Sequence, residues 1–362
     1  MTAGLYIHVP FCAQKCPYCD FYSGAYRVEK AAAYVDAVCR NIRALPEKTA
    51  LDTVYLGGGT PSLLKADAIA QMLDTVRARC DLSPDAEITL ECNPLTMTAD
   101  KLNAWRIAGV NRLSVGVQSF DGNVLKILGR RHTPEQAKDA ILRAYSCGYS
   151  NISLDLMLGL TVQTADRLDA DIAEALALPV THISAYLLKI EEGTPFGKHP
   201  PDMLSDDDMA ARYMQLHDAL TAAGYTHYEI SNFARAGFAS RHNCKYWRCE
   251  PYYAVGPAAH GCIDGVRYAV PPDLDMFLGS ALQNTRILDE NACGEYDRIM
   301  LGLRLSEGIP LGSVPQSRER LLQNAKPLIP RYVTQTGDRL AMTPEGWLLS
   351  NAVLCRLLDE IN

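Results

Sequence analysis

The chain has 362 residues, 48% apolar and 21% charged, an ordinary globular composition with room for about two domains at roughly 150 residues each. Lys and Arg number 35 against 42 Asp and Glu, a net charge of −7 with no basic block, so the cationic footprint that nucleic acid or anionic lipid requires is missing. The start, MTAGLYIHVPFC, has no positive n-region, His8 and Pro10 break its apolar stretch, and no segment reaches the roughly 20 apolar residues of a membrane span; a cytoplasmic protein without membrane insertion is expected.

Short β-rich runs at 5–9, 53–58, 87–92, 112–117, 151–157 and 182–188 alternate with amphipathic patterns at 29–44, 65–79, 98–108, 134–147, 164–177 and 205–223. Such alternation means parallel strands joined by right-handed crossovers. Six units predict an α/β fold built on an open, partial (βα)6 barrel, with its chemistry at the C-terminal ends of the strands. After Tyr228 the rhythm changes: 229–270 is rich in aromatics and Gly/Pro turns, and helical patterns follow near 272–283 and 292–304. The tail reads as a helix near 316–326, two short strands split by Thr336-Gly337-Asp338, and a last helix from Pro344. The expected division is a barrel over 1–235, a connecting segment over 236–280 and a C-terminal α+β winged-helix-like module over 281–362.

Twelve cysteines in a reducing compartment should be free thiols, and those that cluster read as metal ligands. Cys12, Cys16 and Cys19 fall within eight residues, directly after the first strand; the other nine are scattered. Three thiolates in one loop can hold three irons of a [4Fe–4S] cluster and leave the fourth open for a small molecule, whereas zinc would need a distant fourth ligand. One unit later, Gly57-Gly58-Gly59-Thr60-Pro61 ends the second strand, where glycines let backbone approach closely. Glu91, Gln118 and Asp155 fall on the third, fourth and fifth strands and Arg130 in the segment GRRH, polar side chains placed to reach the cavity mouth.

The Cys12-x3-Cys16-x2-Cys19 spacing resembles the radical S-adenosylmethionine superfamily. There the open iron is chelated by the methionine moiety, so that one electron cleaves the sulfonium bond to the adenosyl carbon in a site shielded from water. The strings LYIHVPFC, GGGTPS, ECNP, SVGVQSF, LGRRHT and SLDLMLGL follow in the order of the subfamily that contains oxygen-independent coproporphyrinogen III oxidase and its related heme chaperone. That resemblance implies S-adenosylmethionine contacts at Tyr6, Gly58 and Glu91. It also implies contacts to a second molecule at Tyr18, Gly59, Thr60, Gln118, Arg130 and Asp155; whether this chain binds one or two stays open.

Two features separate the branches. Where the oxidase has a further cysteine, this chain has Phe21, and it starts only five residues before Tyr6, without the oxidase's N-terminal extension. The heme-chaperone branch has the CDF form and an HNxxYW string, present here as His242-Asn243-Cys244-Lys245-Tyr246-Trp247. The resemblance therefore implies a radical S-adenosylmethionine protein that binds heme through the segment of His242, Tyr246 and Trp247, with His260 and Cys244 as alternative ligands. Its partners would be heme, a heme-accepting protein, a membrane-associated one included, and an electron donor. The alternative is radical decarboxylation of a porphyrinogen in porphyrin biosynthesis. No catalytic residue is assigned.

Overall fold

The computed structural model describes residues 2–361. Six strands alternate with six main helices: β1 Ala3–Val9, α1 Val28–Ala44, β2 Ala50–Gly58, α2 Ala66–Arg79, β3 Asp81–Cys92, α3 Ala99–Ile107, β4 Arg112–Gln118, α4 Pro134–Ser146, β5 Asn151–Leu158, α5 Ala165–Ala177, β6 His182–Leu187 and α6 Asp206–Ala222. The strands pair in chain order, each neighbour parallel, the outcome of successive crossovers of one hand. Local chemistry sets the boundaries. In α4, for instance, Thr133 and Gln136 form a reciprocal capping box at the start, and Gly148 follows the end at φ 91°.

The two sheet faces differ in kind. Leu5, Ile7, Val54, Leu56, Leu90, Leu113, Val115, Leu154 and Ile183 are buried in one apolar core with Tyr34 and Val38 of α1 and Met72 and Leu73 of α2. The alternate positions carry Tyr6, Tyr55, Glu91, Arg112, Ser114, Asp155 and Ser184. In the parallel register Tyr6 lies beside Tyr55, Tyr55 beside Thr89 and Thr89 beside Arg112. The period of two that hides the apolar set under helices therefore collects the polar set on the other face.

The sheet continues past both edges. β7 Thr226–Glu229 and β8 Asn232–Ala234 add antiparallel strands beside β6. Helix α7, Arg241–Trp247, leads to β9 Tyr252–Val255, which pairs parallel to β1; β10 His260–Ile263, β11 Val266–Ala269 and β12 Arg286–Asp289 follow antiparallel, making twelve strands. The segment 236–280, expected as a connection, thus supplies three strands of the main sheet. Four-residue strands between Gly/Pro turns show too little alternation to read, while the outer edge of β1 needs partners for its backbone groups.

A second core gathers Ile299, Leu303, Leu311, Leu321, Val333, Leu340, Trp347 and Leu357. It is built from α8 Glu295–Gly302, β13 Ile309–Pro310, α9 Arg318–Ala325, β14 Val333–Thr336, β15 Arg339–Met342, α10 Pro344–Leu348 and α11 Ser350–Leu357. The expected last helix is thus two, broken at Leu349 (φ −107°, ψ 25°). Backbone bonds tie this module to the barrel: Ser306 N donates to Tyr228 O at 2.9 Å and Ile230 N to Arg304 O at 3.0 Å. Among the described residues no helix is long and apolar enough to cross a membrane.

Candidate functional site

Cys12 ends a short strand that pairs with Gly24–Ala25, and Cys19 N donates to Cys16 O at 3.2 Å, which folds the cysteine loop back on itself. Cys12, Cys16 and Cys19 are free and half-buried. Thr60 Oγ1 donates to Cys12 Sγ at 3.6 Å and Arg130 to Cys16 Sγ at 3.6 Å, with Tyr18 close beside Cys16. Burial pushes the Cys19 thiol above its usual range. Among the described residues no three His, Cys, Asp or Glu side chains already surround one metal-sized point. Three soft donors on one loop nevertheless fit an iron–sulfur cluster, with Arg130 and Thr60 as donors to its thiolates.

The glycine segment is packed by the protein itself. Gly58 has φ 106°, and a Cβ there would lie 2.5 Å from the His8 ring; at Gly59 a Cβ would meet Phe11 O at 2.6 Å. Gly59 N and Thr60 N donate to Val9 O and Phe11 O at 2.9 and 2.7 Å, locking the end of β2 to the strand that enters the cysteine loop. The Cβ space of Gly58 and Gly59 is thus taken by His8 and the Phe11 backbone, so the protein's own packing requires both glycines whatever approaches their backbone.

Glu91 sits beside that segment. Its carboxylate accepts the Tyr55 hydroxyl at 2.8 Å and the Gly58 N–H at 3.0 Å. Burial raises its pKa to about 7, against the lowering effect of the Tyr55 bond. Asp155 is raised to about 6, again chiefly by burial, and its bonds to Ser184 and Ser114 oppose the shift. Buried Arg112 stays cationic because Glu87, Tyr55 and Asp155 outweigh desolvation. At the end of β4, Gln118 has φ 75° and a buried Oε1 with no partner, and Arg130 Nε is likewise unpartnered. Ligand-free acceptors and donors beside paired carboxylates suit a cationic, hydroxyl-rich nucleoside. Tyr55, His8 and Arg112 escaped the sequence reading, although His8 and Arg112 lie two residues from Tyr6 and Ser114 on the same strand face and Tyr55 lies two from Gly57.

The HNxxYW helix lies elsewhere than a ligand at an open mouth would. His242 is fully buried; its Nδ1 bonds Thr53 Oγ1 and its Nε2 bonds the Tyr246 hydroxyl, each at 2.8 Å. Its ring stacks on Tyr55 with centroids 5.2 Å apart. The N–H groups of Arg241 and His242 both donate to the Glu87 carboxylate at 3.1 Å, so α7 plugs the barrel interior against the starts of β1 and β2. Both His242 nitrogens are engaged, and the residue offers none to an iron in this arrangement. Trp247 stacks against the Arg304 guanidinium at 4.3 Å, and Cys244 is buried in a small cluster with Tyr228 and Leu305.

Only Tyr246 of that string reaches the main cavity. This space, of about 800 Å³, is lined by Tyr6, His8, Tyr246 and Tyr252 on the barrel side and by Phe21, Tyr22, His260 and Arg286 toward solvent. His8 is held at both nitrogens, by the Tyr6 hydroxyl at 3.1 Å and Tyr22 O at 2.9 Å. His260 is exposed, and among the described residues no side chain bonds its ring or the Arg286 guanidinium. Desolvation of the ring's inner side, then Arg267 and Arg286, lower the His260 pKa. Phe21, 62% exposed, projects at the rim beside the cysteine loop.

Comparison with known proteins follows the same division. The radical SAM superfamily profile matches residues 6–175, and that of the HemN C-terminal domain matches 296–349. The heme chaperone HemW of Escherichia coli (strain K12) is 45% identical over 98% of each chain. The chain belongs to the HemW family of radical SAM proteins. The heme chaperone HemW of Bacillus subtilis (strain 168) is 34% identical, over 98% of this chain and 99% of its own. Coproporphyrinogen III oxidase (HemN) from Escherichia coli superposes with a TM-score of 0.81, covering 98% of this chain and 90% of its own at 21% identity, a likeness of fold. In this HemW-family chain the first match spans β1 to α5, and the second falls on the second core.

Proposed function

We propose that this protein is a heme chaperone that carries a [4Fe–4S] cluster on Cys12, Cys16 and Cys19, binds S-adenosylmethionine beside it, and holds heme in the adjoining cavity for delivery to an acceptor. The observation that carries the reading is the cavity, large enough for a macrocycle, rimmed by Phe21 of the cysteine loop and sharing Tyr6 and His8 with the strand that leads into it. When bound, the cluster would supply one-electron chemistry to the sulfonium. This chain's own residues bind and orient: the Glu91 carboxylate and the Gln118 carbonyl accept from the amino and hydroxyl groups of the nucleoside, and Arg130 donates. In the cavity the neutral His260 imidazole is the available iron ligand, Arg286 pairs with a propionate, and Tyr252 and Phe21 cover the ring faces. An exposed ligand on a rim suits cargo that must leave. S-adenosylmethionine cleavage is not required for any of these contacts.

Anaerobic reconstitution followed by parallel assays tests this reading. Heme retained at one per chain and passed to an apo-acceptor, with His260→Ala shifting the Soret band and weakening binding at least tenfold, is the expected result. Enzyme-like decarboxylation of coproporphyrinogen, with no stoichiometric heme, would put the oxidase alternative in its place. Heme binding unchanged in a His260/Arg286 double alanine variant would move the heme site out of this cavity while leaving the chaperone reading intact.

A further inference from the structure

Three cysteines that look scattered in the sequence meet behind the cavity wall. Cys249 follows α7, Cys262 lies on β10 and Cys293 follows β12. The Cys262 and Cys293 sulfurs are 3.6 Å apart, and Cys249 is a near neighbour of Cys293. Cys262 is buried, whereas Cys249 and Cys293 are partly open to solvent. Cys249 and Cys293 both hold left-handed backbone conformations, φ 54° and 66°, which cost a non-glycine residue and persist where the surroundings over-determine them. Asp297 accepts the Cys293 N–H at 2.9 Å and pairs with Arg267.

A partly open thiol with another thiol within hydrogen-bond reach and guanidiniums nearby is set up to be a thiolate. The neighbouring Cys249 and Cys262, followed by the nearby Arg267 and Arg298 guanidiniums, hold the Cys293 thiol below its usual range. A partly open thiol with a second, buried thiol 3.6 Å away to resolve it is the arrangement of a peroxide-reactive cysteine pair. The cluster is not a finished metal cage, since among the described residues no three such side chains surround a single metal-sized point.

We propose that Cys293 and Cys262 form an oxidisable dithiol site whose reactant is hydrogen peroxide. The Cys293 thiolate attacks one peroxide oxygen; the O–O bond breaks, and hydroxide leaves and takes a proton from solvent, giving a sulfenic acid and water. The Cys262 sulfur then attacks the Cys293 sulfur; the S–O bond breaks, and the hydroxyl leaves as water with the Cys262 proton. The two thiols lose two electrons and one peroxide becomes two waters. The resulting disulfide joins β10 to the loop after β12, next to Tyr252, the strand partner of Cys262. This inference is independent of what occupies the cavity.

The full chain, treated with one equivalent of hydrogen peroxide, alkylated and digested with trypsin, provides the test. Fragment 249–267 should become linked to fragment 287–298, and the link should survive in Cys249→Ser but vanish in Cys262→Ser and Cys293→Ser. A Cys249/Cys262 double serine variant should trap a sulfenic acid on Cys293 that dimedone labels at least tenfold faster than the exposed Cys355. Melting temperatures of the variants confirm that each is folded. Absence of the link in the parent together with dimedone labelling of Cys293 no faster than Cys355 would overturn the proposal, as would a link carried by Cys249 in the Cys262→Ser variant at the parental rate.

Discussion

The His8 ring fills the volume that a side chain on Gly58 would need, 2.5 Å from the position of its Cβ. Gly58 also turns at φ 106° and gives its N–H to Glu91 at 3.0 Å, so one residue links β1, β2 and β3 at the cavity mouth. Gly58→Ala should therefore lower stability by about 1–3 kcal/mol, the cost of a strained left-handed residue, before any ligand is added. A fall in the urea midpoint at constant slope is the expected measurement. Weakened S-adenosylmethionine binding with an unchanged midpoint would mean that the glycine acts on ligand alone.

Each of Cys12→Ala, Cys16→Ala and Cys19→Ala should abolish an oxygen-sensitive cluster, because one iron loses its thiolate. Cys39→Ala, Cys147→Ala and Cys355→Ala should keep it. Iron and sulfide analysis with electron paramagnetic resonance reads the result, and a normal cluster in Cys16→Ala would remove these cysteines from the assignment.

Glu91 gives the proposed nucleoside site a pH dependence. Burial raises its pKa to about 7, so the carboxylate that a cationic ligand needs is half-formed at neutrality. Affinity for S-adenosylmethionine should rise between pH 6 and 8. Glu91→Gln should flatten that rise and weaken binding at pH 8 by about 1–3 kcal/mol, the usual cost of an unpaired buried group. The stability sign is the reverse: the raised carboxyl favours the folded state while protonated, so the ligand-free chain loses stability as pH climbs from about 4.5 through 7. Calorimetric titrations at three pH values check the first claim and denaturant midpoints the second.

His242 titrates in the opposite sense. Burial, then Lys245 and Arg112, lower its pKa to about 3. The folded state keeps the ring neutral, so its contribution is present above about 6.5 and falls away on acidification, at up to about 1.4 kcal/mol per pH unit. His242→Ala also strands the Thr53 and Tyr246 hydroxyls, a loss of about 2–4 kcal/mol when the vacated space is included. The variant should melt lower at pH 7 and show a shallower decline from pH 7 to 5. Retained thermal stability together with lost heme binding would restore His242 as a ligand.

The sequence by itself determined the strands and helices of the barrel, the loop that carries Cys12, Cys16 and Cys19, and the family. These are local signals: alternation with period two, helical faces with period 3.6, and fixed spacing within one loop. Even the polar face was implicit, since Tyr55 and Glu91 lie two residues from Gly57 and Thr89 on their strands. Tertiary structure decided the rest, because contacts between distant segments leave no periodic trace. It turned the motif residue His242 from an open ligand into a plug bonded at both nitrogens, seated Arg286 and His260 on one cavity rim, and brought Cys249, Cys262 and Cys293 together. It also carried the sheet through residues 252–289, where strands of four residues are too short to announce themselves but the free edge of β1 requires a partner.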